Sequence, residues 1–250
     1  ANPCVAVKIG KMPMDMTAKA HTEYICSAEE FNQILKRFPA DNCFHLSLVV
    51  PYNTGTRIGE TFAIDLSQDV DFEKHELRIH GQMQKVEKTW YIKPPKYDSY
   101  RTIKMGETLE KELKFAIQQR RINKLKYGGA YSKTYLLPDR SIAQIRADID
   151  VPYKEILPLC VKENGALLTP DSFKYCARII HYELNNPLFH AHCLRHTHGT
   201  ILAENGVNPK TVMERLGHKD ITTTLQTYTF NTDAMQQTAV DVFENAIQTQ

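Results

Sequence analysis

The sequence predicts an α+β fold, mainly helical with a small antiparallel β-sheet. Three observations carry this. Residues 75–105 contain three short β-prone runs divided by polar turns. Glu107 to Lys126 is one long segment with apolar residues at helical spacing. Residues 169–216 carry repeated helix-start signals, Thr169-Pro170 and Asn208-Pro209 among them.

Taken in order, residues 1–22 show no clear periodicity and read as a linker or the tail of a preceding domain. Ser27 and Glu30 form a capping box for a helix that presents Phe31, Ile34, Leu35 and Phe38, and Pro39 closes it. Cys43 to Tyr52 is nearly all apolar and predicts a buried helix, broken by Thr54-Gly55-Thr56. Arg57-Ile58-Gly59-Glu60 opens the next, short helix. His75–Met83, Thr89–Ile92 and Tyr100–Met105 are the three strand runs of one expected sheet. In the long helix Leu109, Leu113, Ala116, Ile117 and Ile122 share a side, and Gly128-Gly129 ends it. Residues 130–165 read as an ordered insertion of short strands and turns.

Thr169-Pro170 then starts a helix carrying Phe173, Cys176, Ile179, Ile180 and Leu184. Another runs from about His192 to Gly206, and Asn208-Pro209 begins one ending at Leu216. In residues 232–247, Met235, Ala239, Val242, Phe243 and Ile247 follow helical spacing, in a helix that needs a groove to dock in.

The 250 residues allow one large domain, and 42% apolar content suffices for a core. A net charge of +2 means that a nucleic-acid partner would need a local basic surface. Cys4, Cys26, Cys43, Cys160, Cys176 and Cys193 show no metal-ribbon spacing and read as reduced cytoplasmic thiols. No apolar run approaches a membrane span.

Several residues bear chemistry. Arg57 and Glu60 alone read as a local surface pair of little worth. Lys96 and Arg101 lie around a turn, where charges are commonly solvated or protect a sheet edge, and Lys93 is a rival for any lysine role. His190, His192, His196 and His198 are clustered. His192 and His196 have the i,i+4 spacing of helical zinc ligands, but no glutamate follows His192 and no matching carboxylate motif exists. His192 and Arg195 lie three apart, on one helical face. Tyr228 closes a threonine-rich run. A phenol of pKa near ~10 needs cations nearby to act as a nucleophile, and Arg57, Arg195, Lys96 and a protonated histidine are available.

Five segments in order resemble a known family. They are Thr54-Gly55-Thr56-Arg57-Ile58-Gly59-Glu60; Pro95-Lys96 with Ser99-Tyr100-Arg101-Thr102-Ile103; His192-Cys193-Leu194-Arg195-His196-Thr197; Leu216-Gly217-His218; and Tyr228. Together they resemble the catalytic domain of the tyrosine recombinases, the phage-type integrases, and look closest to those of conjugative transposons. The likeness covers about residues 24–245, so 23–250 is expected to be that domain with its tail helix. Residues 1–22 would be the linker and remnant of a core-binding domain.

The resemblance implies a site-specific recombinase. In it Tyr228 attacks a DNA phosphodiester and Arg57 and Arg195 clamp the phosphate. Lys96, matched to the family's β-hairpin lysine, protonates the leaving oxygen; His192 serves as base and His218 as hydrogen-bond donor, and Glu60 orients Arg57. It further implies double-stranded DNA at specific recombination sites as partner, a tetramer on DNA from a monomer without it, a cytoplasmic location, no membrane, no cofactor and no metal. Tyr97 stands where the family often has threonine, and His198 where an apolar residue is usual. Other readings are a type IB topoisomerase, with the same chemistry but no strand exchange, a DNA-binding regulator using a helix-turn-helix around 203–216, and, third, a metal hydrolase built on the histidines. The second leaves Arg57, Lys96 and Tyr228 unexplained.

Overall fold

In the computed structural model, residues 24–219 are described, together with Gln237, Thr238, Val240, Asp241, Phe243, Glu244 and Ile247 of the tail. Cys4, Tyr228 and the expected linker over 1–22 lie outside the described residues. Among the described residues the named helices are α1 Ala28–Arg37, α2 His45–Thr54, α3 Ile58–Ala63, α4 Glu107–Tyr127, α5 Pro170–Glu183, α6 Ala191–Glu204 and α7 Pro209–Leu216. The strands among them are β1 Val70–Asp71, β2 Glu76–Ile79, β3 Gln82–Val86, β4 Thr89–Lys93, β5 Arg101–Lys104, β6 Ser132–Leu136, β7 Ile142–Arg146 and β8 Lys154–Ile156. The α+β expectation holds.

Local rules placed most helix ends. Ser27 and Glu30 complete the reciprocal capping box of α1, and Thr169 does so for α5 with Ser172. Asn208 Oδ1 accepts from the Lys210 N–H at the start of α7. Helix α2 is buried along nearly its whole length, so its polar side chains need partners, which His45 finds in Phe38 O and Glu112 and the others find near their own turns. The Ser47 hydroxyl donates to Phe44 O at 2.6 Å, Asn53 Nδ2 to Val49 O at 2.8 Å and the Thr54 hydroxyl to Val50 O at 2.7 Å.

Around α2 lies one apolar core. Phe31 and Ile34 of α1, Leu48 and Val50 of α2, Phe62 of α3, Leu109 and Leu113 of α4, Cys176 and Ile180 of α5, and Cys193 and Leu194 of α6 all belong to it. Its burial is the main force that assembles these elements. Cys26, Cys43, Cys160, Cys176 and Cys193 are free thiols. Among the described residues no helix is long and apolar enough to cross a membrane.

Three expectations need correction. Residues 75–105 form four strands in two sheets. The run His75–Met83 is broken into β2 and β3 at His80-Gly81, because the chain bends there against β4. A Cβ at Gly81 would lie 2.9 Å from Ile92 Cγ2. One sheet has the order β1-β2-β5, with Leu77 opposite Ile103; the other is the hairpin β3-β4, with Met83 opposite Ile92. Lys96 therefore stands in the connection from one sheet back to the other, and not at a hairpin tip.

Helix α4 is amphipathic only in its first half. Leu109 and Leu113 are buried, whereas Ile122 is 47% exposed because the later turns run beyond the core. In the tail, Phe243 and Ile247 are helical and exposed, while Met235, Ala239 and Val242 lie outside the described residues. The insertion over 130–165, expected as short strands and turns, contains a three-stranded antiparallel sheet, β7-β6-β8.

Candidate active site

Two left-handed glycine turns meet at the floor of the site. Gly55, at φ 68°, ends α2, and Gly217, at φ 69°, ends α7. Both need glycine for the positive φ and for space. A Cβ at Gly55 would come within 2.3 Å of Leu216 Cδ2, and one at Gly217 within 2.8 Å of Arg101 Nη1. The crossing aims the Gly55, Leu216 and Gly217 carbonyls at two arginines.

Arg195, on α6, is 1% exposed, and its Nη1 donates to Gly55 O and Leu216 O, each at 2.7 Å. Arg57 caps α3 and donates from Nη2 to Gly217 O at 3.0 Å. A guanidinium is always charged and carries five donors in a fixed fork. These carbonyls fix the two forks in place.

Glu60 is no surface partner: it is 1% exposed and holds two arginines. Its carboxylate accepts from Arg57 Nη1 at 2.7 Å and the Arg57 N–H at 3.0 Å, and from Arg101 Nη2 at 2.6 Å. Burial alone would raise its pKa. The hydrogen bond and charge of Arg101, joined by the charge of Arg57, outweigh burial and hold the carboxyl below its usual range. Among the described residues one carboxylate, Glu60, lies among these arginines and Arg195, which leaves the floor electropositive.

The imidazoles beside this floor are neutral at pH 7. His218, half-buried just after Gly217, is pushed down to about 3, first by burial and then by the charges of Arg195 and Arg57. His192 keeps an exposed face, yet the protein packed around its other side, with Arg195 and Arg57, pushes it to about 4. A protonated histidine as one of the cations is thus corrected: the same arginines that would attract an anion repel a proton. His196 meets His192 edge to face at 4.9 Å between ring centres. Among the described residues no three histidine, cysteine or acidic side chains converge as a metal would require.

Lys96 is exposed on the turn between β4 and β5, its Nζ 4.9 Å from the Tyr97 ring centre. The Ser99 hydroxyl donates to Lys96 O at 2.9 Å and accepts from Arg57 Nη1 at 3.4 Å, which moors this turn to the arginine floor. Lys93 sits within β4, paired with Gln82, its Nζ beside the Tyr91 ring. The structure thus brings Arg57, Arg195, His192, His218 and the Lys96 turn together, and Tyr228 lies outside the described residues.

Arg101 had read as a solvated charge, Arg215 carried no sequence signal, and His198 stood out only as a departure from the apolar residue usual there. Arg215 Nε donates to His198 Nε2 at 2.9 Å, which leaves the Nδ1–H of His198 to donate to Tyr52 O at 2.9 Å. That pairing needs a neutral ring. Burial and the Arg215 charge push His198 to about 4. A folded pKa below the model-peptide 6.5 means that the unfolded chain binds the proton first. Stability is therefore full above about pH 6.5 and is lost as pH falls toward 4. His198→Gln keeps an acceptor and a donor but cannot titrate. Urea unfolding at pH 7 and pH 5 should show about 2 kcal/mol less acid destabilisation in that variant than in the parent.

Residues 26–235 match the sequence profile of the phage integrase family. The chain belongs to the phage integrase family. One family relative is a XerC-like tyrosine recombinase of Caldanaerobacter subterraneus subsp. tengcongensis, 27% identical over 98% of this chain and 60% of its own length. A second is the transposase of transposon Tn916 from Enterococcus faecalis, 26% identical over 88% of this chain and 52% of its own length. This integrase-family chain thus spans little more than half the length of these relatives. The solved structure of the Tn1549 transposon integrase with circular intermediate DNA shares the fold. Its TM-score is 0.67 at 22% identity, over 90% of this chain and 68% of that one.

Proposed function

We propose that this chain is the catalytic part of a site-specific DNA recombinase. It would cleave and rejoin double-stranded DNA at specific sites through a 3′-phosphotyrosyl intermediate, in integrating or excising a mobile element. The observation that carries the reading is the pair of carbonyl-anchored guanidinium forks, Arg57 and Arg195, facing one electropositive floor. A phosphodiester repels nucleophiles, and catalysis must neutralise the charge that builds on its non-bridging oxygens. Fixed arginines do this without reorganising during the reaction.

In this reading the Tyr228 oxygen bonds to phosphorus as the bond to the 5′ oxygen breaks. Lys96 gives that oxygen its proton and leaves a free 5′-hydroxyl. His192, neutral at pH 7, accepts the phenol proton, and His218, neutral as well, donates a hydrogen bond to a phosphate oxygen. The 5′-hydroxyl of a partner strand reverses the step. The covalent link conserves the bond energy, so no ATP is consumed.

The relatives' names, a recombinase and a transposase, favour strand exchange over topoisomerase-like relaxation. The Tn1549 neighbour, solved with circular intermediate DNA, supports DNA as the partner. DNA as substrate makes the cytoplasm the place of action. Assembly from a monomer into a tetramer on DNA is part of the proposal. Val240, Phe243 and Ile247, exposed at helical spacing in the tail, supply an apolar face suited to a neighbouring copy.

Capture tests the reading. A randomised library of nicked duplexes, from which the 5′-hydroxyl fragment escapes after cleavage, is incubated with the protein in EDTA. Detergent-stable adducts are then recovered and sequenced. The reading predicts adducts enriched in one sequence; an absence of adducts across the library counts against it.

A further inference from the structure

We propose that Arg101 is a positioning residue that clasps the Lys96 turn onto the phosphate-binding floor, setting the general acid against the leaving oxygen. This rests on the recombinase reading above. Arg101 opens β5, and its guanidinium ties together three separate parts of the chain. Nη2 donates to Glu60 Oε2 at 2.6 Å and Nη1 to Glu60 Oε1 at 3.3 Å, a forked contact with α3. Nη1 also donates to Ser99 O at 3.1 Å, on the Lys96 turn, and Nε to Arg215 O at 2.8 Å, in the last turn of α7.

Its side chain is only 7% exposed, so water does not compete for these bonds. Glycine at 217 is what allows the guanidinium to lie against the turn that carries His218.

The Lys96 turn needs such a clasp. Tyr97 and Asp98 both adopt positive φ, at 63° and 51°, and neither is glycine. Left-handed backbone disfavours an aromatic residue such as Tyr97, though Asp98 less so, and the pair is a conformation that a free loop would leave. Tyr97 is 60% exposed, so its ring is not what anchors the turn. Its near end is bound by Gln82 at Pro94 O, and polar contacts hold its far end. The Ser99 carbonyl is bound by Arg101, and the Ser99 hydroxyl spans Lys96 O and Arg57 Nη1. The bonds of the Arg101 guanidinium run to Glu60, Ser99 O and Arg215 O. It acts on Lys96 through Ser99 and on Arg57 through Glu60.

The two routes differ in chemistry. If Arg101 serves the acid, its loss matters only where the leaving group needs a proton. A 5′ oxygen leaves as a poor alkoxide. A 5′ sulfur leaves as a thiolate, of pKa near ~8.5, with no proton required. The experiment takes a duplex recovered by the capture above and compares its ordinary form with one whose bridging 5′ oxygen is sulfur.

Arg101→Lys keeps a cation beside Glu60 but cannot reach Glu60, Ser99 O and Arg215 O together. Its capture rate on the oxygen duplex should fall about 30-fold, and on the sulfur duplex by less than about threefold, with DNA affinity unchanged. Lys96→Ala should show the same pattern more strongly. Ser99→Ala, which removes the hydroxyl bridge but keeps the Arg101 bond to Ser99 O, should show it more weakly, and Arg101→Gln, which loses the charged fork, answers the question should Arg101→Lys not fold. Equal deficits on the oxygen and sulfur duplexes in the folded variants would overturn the clasp. Failure of the parent on both duplexes would instead remove the recombinase reading itself.

Discussion

Replacing Tyr228 with phenylalanine is expected to abolish covalent capture of DNA, a loss of at least ~10⁴-fold, while leaving DNA affinity within about threefold of the parent. The substitution removes one oxygen, and with it the atom that would bond to phosphorus. A phenol is a poor nucleophile until its charge is stabilised. The floor of Arg57 and Arg195, with Glu60 shared between Arg57 and Arg101, supplies that stabilisation. Affinity should hold, because phosphate contacts from cations, which the substitution leaves in place, dominate DNA binding. The control comes from the site itself. Tyr97 and Tyr100 are exposed beside Lys96, at 60% and 57%, and are the obvious rivals for the nucleophile. Tyr97→Phe and Tyr100→Phe should each retain capture. Persistence of the adduct in Tyr228→Phe, with its loss in either of the others, would move the nucleophile to the Lys96 turn.

The parts of this chain that were legible in its sequence are those governed by neighbours in sequence. Ser27 with Glu30, Thr169-Pro170 and Asn208-Pro209 announce helix starts because a cap acts within four residues. Gly55 was legible as a break. Its close approach to Leu216 was not, since that depends on how two helix ends pack. The order of Arg57, Lys96, Arg195, His218 and Tyr228 suggested a common site, and geometry joins the first four through the two glycine turns. Arg101 failed to declare itself for the opposite reason. Its partner Glu60 lies 41 positions away, and a charge beside a turn is usually solvated. The bend at Gly81 was hidden because the apolar alternation runs through it unbroken, and only contact with Ile92 demands it. Likewise Ile122 obeys the periodicity of α4 while the core ends before reaching it. The protonation of the histidines was misjudged because the spacing of residues does not show how deeply His192 and His218 are packed, and burial is the first cause of their lowered pKa values.

Arg195→Lys is expected to lower capture by about 10²–10³-fold, the loss typical of removing a fixed donor from a developing anion. Arg195 Nη1 is engaged by Gly55 O and Leu216 O, so the guanidinium is oriented by one edge. A lysine ammonium is one compact charge on a flexible stem and cannot hold those carbonyls and a phosphate together. Whichever it serves, the other is left without its donor. If the carbonyls lose, the cost falls on stability, about 1–3 kcal/mol for each buried acceptor left unsatisfied, and is read in urea unfolding. If the phosphate loses, the cost falls on the chemical step. Sulfur in the bridging position separates this clamp from the clasp. The deficit of Arg195→Lys lies on the non-bridging oxygens, which the sulfur duplex retains, so its capture should remain depressed on both duplexes. Arg101→Lys should recover on sulfur. A sulfur rescue of Arg195→Lys, or capture within tenfold of the parent on the oxygen duplex, would deny Arg195 the part of phosphate clamp.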